Sequence, residues 1–225
     1  DIGADADVAR ITGHAGSDPI SPKRLAVMRA SERNYFVKTH FLPDFRTSTD
    51  DRVVYVVRDG RDVMCSYFHY LQQFSSRYRS FRDVILGQVP FGLWAAHVEA
   101  WEQAIDGQGK IVRYESVLDD PEGFVSVLSG FLGVPDNGAE VASFSKLSSM
   151  NERFFRKGRP GAWADDMTAD DESVFWAVHG DVMLRHGYSR HRLTKDSAGP
   201  HDQSAKQELR CALERLYETS KGGVS

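Results

Sequence analysis

Arg52–Tyr70 reads RVVYVVRDGRDVMCSYFHY, and this stretch decides the fold. Its first half, Val53-Val54-Tyr55-Val56-Val57, is an unbroken apolar, β-branched run of the kind a parallel sheet buries on both faces. Asp59-Gly60 is a turn signal, and beyond it Val63, Tyr67, Tyr70 and Leu71 recur at helical spacing. The stretch therefore predicts a central parallel strand, a tight turn and a helix. Arg58 stands where the strand ends, and Ser66 follows about two helical turns later. Both are expected to face the carboxyl edge of the sheet, where open α/β folds bind ligands. A guanidinium and a hydroxyl near a helix N-terminus suit a phosphate there. By itself, an Arg followed at that distance by a Ser reads as a solvated turn.

The whole string changes that reading. Tyr55, Val56, Arg58, Arg61, Asp62, Val63, Ser66 and Tyr67 occur in the order found in the 3′-phosphate-binding segment of sulfotransferases that use 3′-phosphoadenosine 5′-phosphosulfate (PAPS), which this segment resembles. The family usually carries Asn-Pro in the turn. Asp59-Gly60 here exchanges a rigid helix start for a flexible one.

Working toward the N-terminus, Asn34-Tyr35-Phe36-Val37 reads as a short strand ending in Lys38-Thr39-His40, with Leu42-Pro43 just beyond. A Lys and a His two apart on a strand point to the same side. A lone His at a strand end is ordinarily bonded to backbone. In company with the Arg58–Ser66 segment, the stretch resembles the Lys-Thr-His-Leu-Pro element of sulfotransferases, with Phe41 as an extra residue. The resemblance implies His40 as catalytic base and Lys38 as the cation that stabilises the sulfuryl group in transfer. Further upstream, Ser21-Pro22 is a helix start carrying Leu25, Val27 and Met28, and residues 1–20 read as loop.

Downstream, residues 72–90 interleave Arg77, Arg79 and Arg82 with aromatics, a composition that nucleic-acid binders share. A solvated loop and short helix over the substrate mouth is the preferred reading, because the net charge of −4 opposes a polyanion. Trp94, Val98, Trp101 and Ile105 give the next helix its apolar face, and His97 on that helix reads as mostly core. The Gly-x-Trp, His and Trp of this region extend the resemblance.

Lys110–Glu115 is the next predicted strand, followed by a helix capped at Asp120-Pro121 and stopped by Gly133. Here the resemblance implies that Tyr114 contacts the adenine and that Phe144, in Ala142-Ser143-Phe144, packs against the purine. The last motif, Arg156-Lys157-Gly158-Arg159-Pro160-Gly161-Ala162-Trp163, joins two cations to a Gly, whose backbone allows close approach of a phosphate. It resembles the family's Arg-Lys-Gly-x-x-Gly-Asp-Trp loop, with Ala162 in place of Asp, and implies that Arg156, Lys157 and Gly158 bind the 3′-phosphate. Thr168 and Asp171 cap a final core helix ended by Gly187.

The 225 residues suit one α/β domain, expected over 1–192, with a linker and helix over 193–225. The resemblance implies a P-loop-NTPase-like three-layer sandwich, a parallel sheet flanked by helices. It covers residues from about 34 to 190. The family's first β-loop-α unit, whose Pro-Lys-Ser-Gly-Thr loop binds the 5′-phosphosulfate, has no counterpart in this sequence.

The implied activity is sulfuryl transfer from PAPS to a hydroxyl or amine of a small-molecule or carbohydrate acceptor, without a metal. The alternative is a truncated, non-catalytic relative that holds the desulfated nucleotide, 3′-phosphoadenosine 5′-phosphate (PAP). A phosphotransferase is disfavoured by the lack of a Walker Lys-Ser/Thr. No apolar run approaches the ~20 residues of a membrane span, and Cys65 and Cys211 have no metal-binding spacing. A cytoplasmic setting, no nucleic-acid or membrane partner, and a homodimer as an open option complete the expectation.

Overall fold

The computed structural model describes residues 21–44, 48, 51–74, 80–105, 107, 109–136, 138, 149 and 159–190. The expected loop over 1–20, Arg77, Arg79, Phe144, Arg156, Lys157, Gly158 and the expected C-terminal linker and helix lie outside the described residues.

The predicted strand forms as β1, Val53–Val57, and pairs in parallel with β2, Gly109–Arg113. The register runs from Val53 opposite Gly109 to Val57 opposite Arg113. Between them the chain passes through helices α2 (Gly60–Phe74), α3 (Phe81–Ile85) and α4 (Trp94–Ala104). Helix α1 (Pro22–Arg29) precedes β1, and α5 (Tyr114–Asp119), α6 (Pro121–Leu132) and α7 (Ala169–Arg185) follow β2. Val57 is 1% exposed and joins Met64, Cys65, Ile85, Val98, Phe175 and Met183 in one core, built where α2, α3, α4 and α7 pack together. On the opposite sheet face, the buried Lys110 lies 5.1 Å from the centre of the Phe131 ring of α6.

The helix ends follow local chemistry. Ser21 accepts from the Arg24 N–H and Pro22 takes the first turn of α1. Asp120 does the same for α6 through the Gly123 N–H, and Thr168 for α7 through the Asp171 N–H. Gly133 terminates α6 at φ 67°, a left-handed conformation that an L side chain resists.

Several expectations are corrected. Asn34–Val37 is not a strand: residues 34–40 are irregular, and Phe36 is 73% exposed. Apolar composition alone does not make a strand, because it needs a neighbour to complete the ladder, and none pairs with this segment among the described residues. Likewise Val56 is 50% exposed, so β1 is not buried on both faces. β2 ends at Arg113, and Tyr114-Glu115 open a helix instead of continuing the strand. Helix α2 buries Met64 and Cys65 beside Leu71, while Tyr70 turns outward, so its core face is rotated from the expected one. The short helix expected within residues 72–90 does form, as α3, but it is packed rather than solvated, with Val84 and Ile85 buried.

Gly60 also differs in kind from the expected flexible helix start. A Cβ there would sit 2.9 Å from Trp94 Cδ2 and 3.0 Å from Phe175 Cζ, so the glycine is a packing requirement. The Asp59 carboxylate stiffens the same turn by accepting from the Arg61 N–H at 2.9 Å. Gly60→Ala is therefore expected to lower stability by about 1–3 kcal/mol through overpacking against two rings. A urea midpoint at or above that of the parent would contradict this contact.

Candidate functional site

The parallel register brings the first two site residues together. Because Val57 lies opposite Arg113, the next residues, Arg58 and Tyr114, leave the carboxyl edge of the sheet side by side. The Arg58 guanidinium stacks over the Tyr114 ring, 4.7 Å from its centre. Its Nη2 is 3.6 Å from Asp62 Oδ2, one turn into α2. Its Nε is buried and finds no hydrogen-bond partner among the described residues. The side chain is nevertheless 25% exposed, so its outer guanidinium nitrogens remain open to an anion placed against the aromatic ring.

Asp62 also ties in the end of the basic Gly-rich motif. Its two carboxylate oxygens accept from the Gly161 N–H at 2.9 Å and the Trp163 N–H at 2.8 Å. Burial raises its pKa, opposed by Arg58 and by these two amides. Gly161 sits at φ 75°, turning the chain into a short 3-10 helix, Ala162–Asp165. The C-terminal stem of the motif is thereby held at the helix turn that faces Arg58. Ser66 is exposed on α2, one further turn along the face that carries Asp62.

Arg61, part of the same sequence motif, has a different job. It is 3% exposed, pairs with Asp59 at 2.7 Å, donates to the Ser189 carbonyl at 3.0 Å and lies 4.0 Å from the centre of the Trp163 ring. It clamps the turn to the C-terminal part of the domain and leaves Arg58 as the cation at the sheet edge.

Lys38 and His40 are both exposed, on the irregular segment rather than on a strand. That segment is held by α4. The Trp101 indole N–H donates to the Phe41 carbonyl at 3.1 Å, and His97 Nε2 is 3.1 Å from the His40 carbonyl. The His40 and Phe41 rings each lie 6.1 Å from Phe91, which in turn lies 5.4 Å from Tyr67 on α2. His40 has its pKa lowered by partial desolvation at this aromatic contact, then by Lys38 and by His97.

Strand β1 serves both halves. At Tyr55 it stacks on Trp101 and bonds His97, which hold the His40 segment, and at its end it delivers Arg58. His97, Trp101 and Phe91 were not foreseen as site residues. The signal available for them was the i, i+4 spacing of His97 and Trp101, which puts them on one helix face. Among the described residues no cluster of His, Cys, Asp or Glu is arranged to hold a metal ion, and no helix is long and apolar enough to cross a membrane.

The model of the sulfotransferase domain matches residues 20–187, more than half of the sequence. The chain belongs to the sulfotransferase domain family. Flavonol 3-sulfotransferase of Flaveria bidentis is 27% identical over 206 residues, covering 69% of this chain and 64% of its own length. Sulfotransferase 6B1 of Danio rerio is 31% identical over 151 residues, covering 56% of this chain and 51% of its own. The chain thus spans between half and two-thirds of the length of these sulfotransferases. Mouse sulfotransferase SULT7A1, solved in complex with PAP, aligns with a TM-score of 0.50 at 22% identity, covering 71% of this chain and 63% of that one. This last likeness is one of fold, α/β with a parallel sheet and flanking helices.

Proposed function

We propose that this sulfotransferase-family chain moves a sulfuryl group from PAPS to a hydroxyl or amine of a small-molecule or carbohydrate acceptor. The observation that carries the reading is the emergence of Arg58 and Tyr114 together at the carboxyl edge of β1 and β2, with the partly exposed guanidinium stacked on the ring between a strand end and a helix start. PAPS, when bound, supplies a sulfuryl group on a good leaving group, the 5′-phosphate of PAP.

This chain's residues supply the rest. Arg58 binds the 3′-phosphate, Ser66 adds a hydroxyl donor from the same helix face, and Tyr114 lies against the adenine. The family resemblance assigns Arg156, Lys157 and Gly158 to the same phosphate and Phe144 to the purine, and Asp62 holds the Gly161 end of that motif. His40 accepts the acceptor's proton as the new bond to sulfur forms, and Lys38 offsets charge that builds on the oxygen of the breaking bond. A base that is uncharged at neutral pH is what this step needs, and the lowered pKa of His40 supports it.

The test is transfer of labelled sulfate from PAPS to a panel of phenols, alcohols and amines by this chain joined to a β-loop-α unit that binds the 5′-phosphosulfate. The expected result is a labelled acceptor with PAP released in equal amount. Labelled inorganic sulfate with no acceptor product, or no release at all, would overturn the reading.

A further inference from the structure

We propose that Tyr55 and His97 form a positioning relay for His40; the proposal rests on the reading of His40 as the base. The Tyr55 hydroxyl is 3.0 Å from His97 Nδ1, and His97 Nε2 is 3.1 Å from the His40 backbone carbonyl. A carbonyl only accepts, so Nε2 carries the proton and donates it. Nδ1 is then the acceptor, and the Tyr55 hydroxyl donates to it. Burial, with Glu102 nearby, pushes the Tyr55 pKa upward, which keeps that hydroxyl protonated. The two bonds therefore fix one tautomer of His97 and aim its only N–H at the backbone of His40.

The need for such a device follows from the fold. The segment carrying Lys38 and His40 has no strand ladder among the described residues, and its neighbours Phe36, Phe41 and Leu42 are more than half exposed. Among the described residues, no helix or strand backbone pairs with the segment at His40. Its backbone carbonyls are held by side chains of α4: His97 at that of residue 40 and Trp101 at that of residue 41. Tyr55 adds register. It belongs to the strand that ends in Arg58, and its ring lies 5.9 Å from His97 and 6.1 Å from Trp101. The relay thus couples the position of the proposed base to the strand that presents the nucleotide-binding guanidinium.

His97→Phe keeps an aromatic ring and removes both hydrogen-bonding nitrogens. It is expected to lower kcat roughly 10- to 100-fold, as misplacement of a catalytic group by about 1 Å does, with the affinity for PAP unchanged. His97→Gln retains an N–H donor for the carbonyl and is expected to recover most of the loss. Combined with His40→Ala, His97→Phe should add nothing. A second factor as large as the first would mean that His97 acts elsewhere, and would overturn the relay while leaving the base assignment intact. If His40→Ala alone is as fast as the parent, it is the base assignment that fails.

Ring nitrogen shifts by NMR test the geometry without turnover. The parent should show His97 as the Nε2–H tautomer, and Tyr55→Phe should weaken that preference and shift the His40 ring signals. A parent His97 in the Nδ1–H form, or a Tyr55→Phe variant with unchanged His97 and His40 signals, would overturn the proposal.

Discussion

His40→Ala is expected to slow sulfuryl transfer by about 10² to 10⁴-fold, while nucleotide affinity changes by less than about twofold. The split follows from where the residue stands: on the segment held by α4 against Phe91, not at the Arg58–Tyr114 edge. The pH profile adds a sign. Desolvation, Lys38 and His97 together hold the His40 pKa below 6.5, so the folded ring remains uncharged through neutral pH. The acid limb of kcat/KM should therefore fall below pH 6.5 and disappear in the variant. Stability moves the same way: as pH drops through 6.5 the unfolded ring takes up a proton and the folded one resists, so His40 subtracts stability there and not above. An acid limb centred above pH 6.5, or a variant as fast as the parent, would contradict the role.

Arg58→Ala is expected to weaken PAP binding by roughly ten- to a hundredfold, the loss of one charge-assisted contact of about 1.5–3 kcal/mol. Arg58→Lys should recover little of it. A lysine keeps the charge, but it lacks the planar fork that stacks on Tyr114 while offering paired N–H donors to a phosphate. The fold should tolerate the change, since the nearest ionic contact of Arg58, at 3.6 Å to Asp62, is long and the Asp62 oxygens keep their two backbone donors. Unaltered PAP affinity in Arg58→Ala would remove the cation from the site.

How much of this was legible in the sequence depends on how local the cause was. The strand Val53–Val57, the caps at Ser21, Asp120 and Thr168, and the stop at Gly133 rest on residues within one turn of one another, and all formed. The family resemblance implied separate roles for Arg58 and Tyr114 on one nucleotide, while their stacking on each other, which follows from the register of β1 on β2, is a long-range fact. The segment Asn34–Val37 misled because apolar residues suit a strand equally whether or not a neighbouring strand is there to pair with them.

Gly60 misled for a related reason. A glycine in a turn reads as freedom, yet here its missing Cβ makes room for Trp94 and Phe175, which arrive from two other helices. His97 read as core because its helix face is apolar. Its actual partners are a strand tyrosine and a backbone carbonyl, far from it in sequence and invisible to periodicity. Arg61 and Arg58 look interchangeable in the motif, and only packing distinguishes the buried clamp from the cation at the sheet edge.

The central claim is that Arg58 and its neighbours recognise a 3′-phosphate beside an adenine. Calorimetric titration of the full chain with PAP and, in parallel, with adenosine 5′-phosphate isolates that one group. The account predicts that PAP binds at least about tenfold more tightly, the worth of one phosphate contact. Equal affinity for the two nucleotides, or no binding of either, would contradict it.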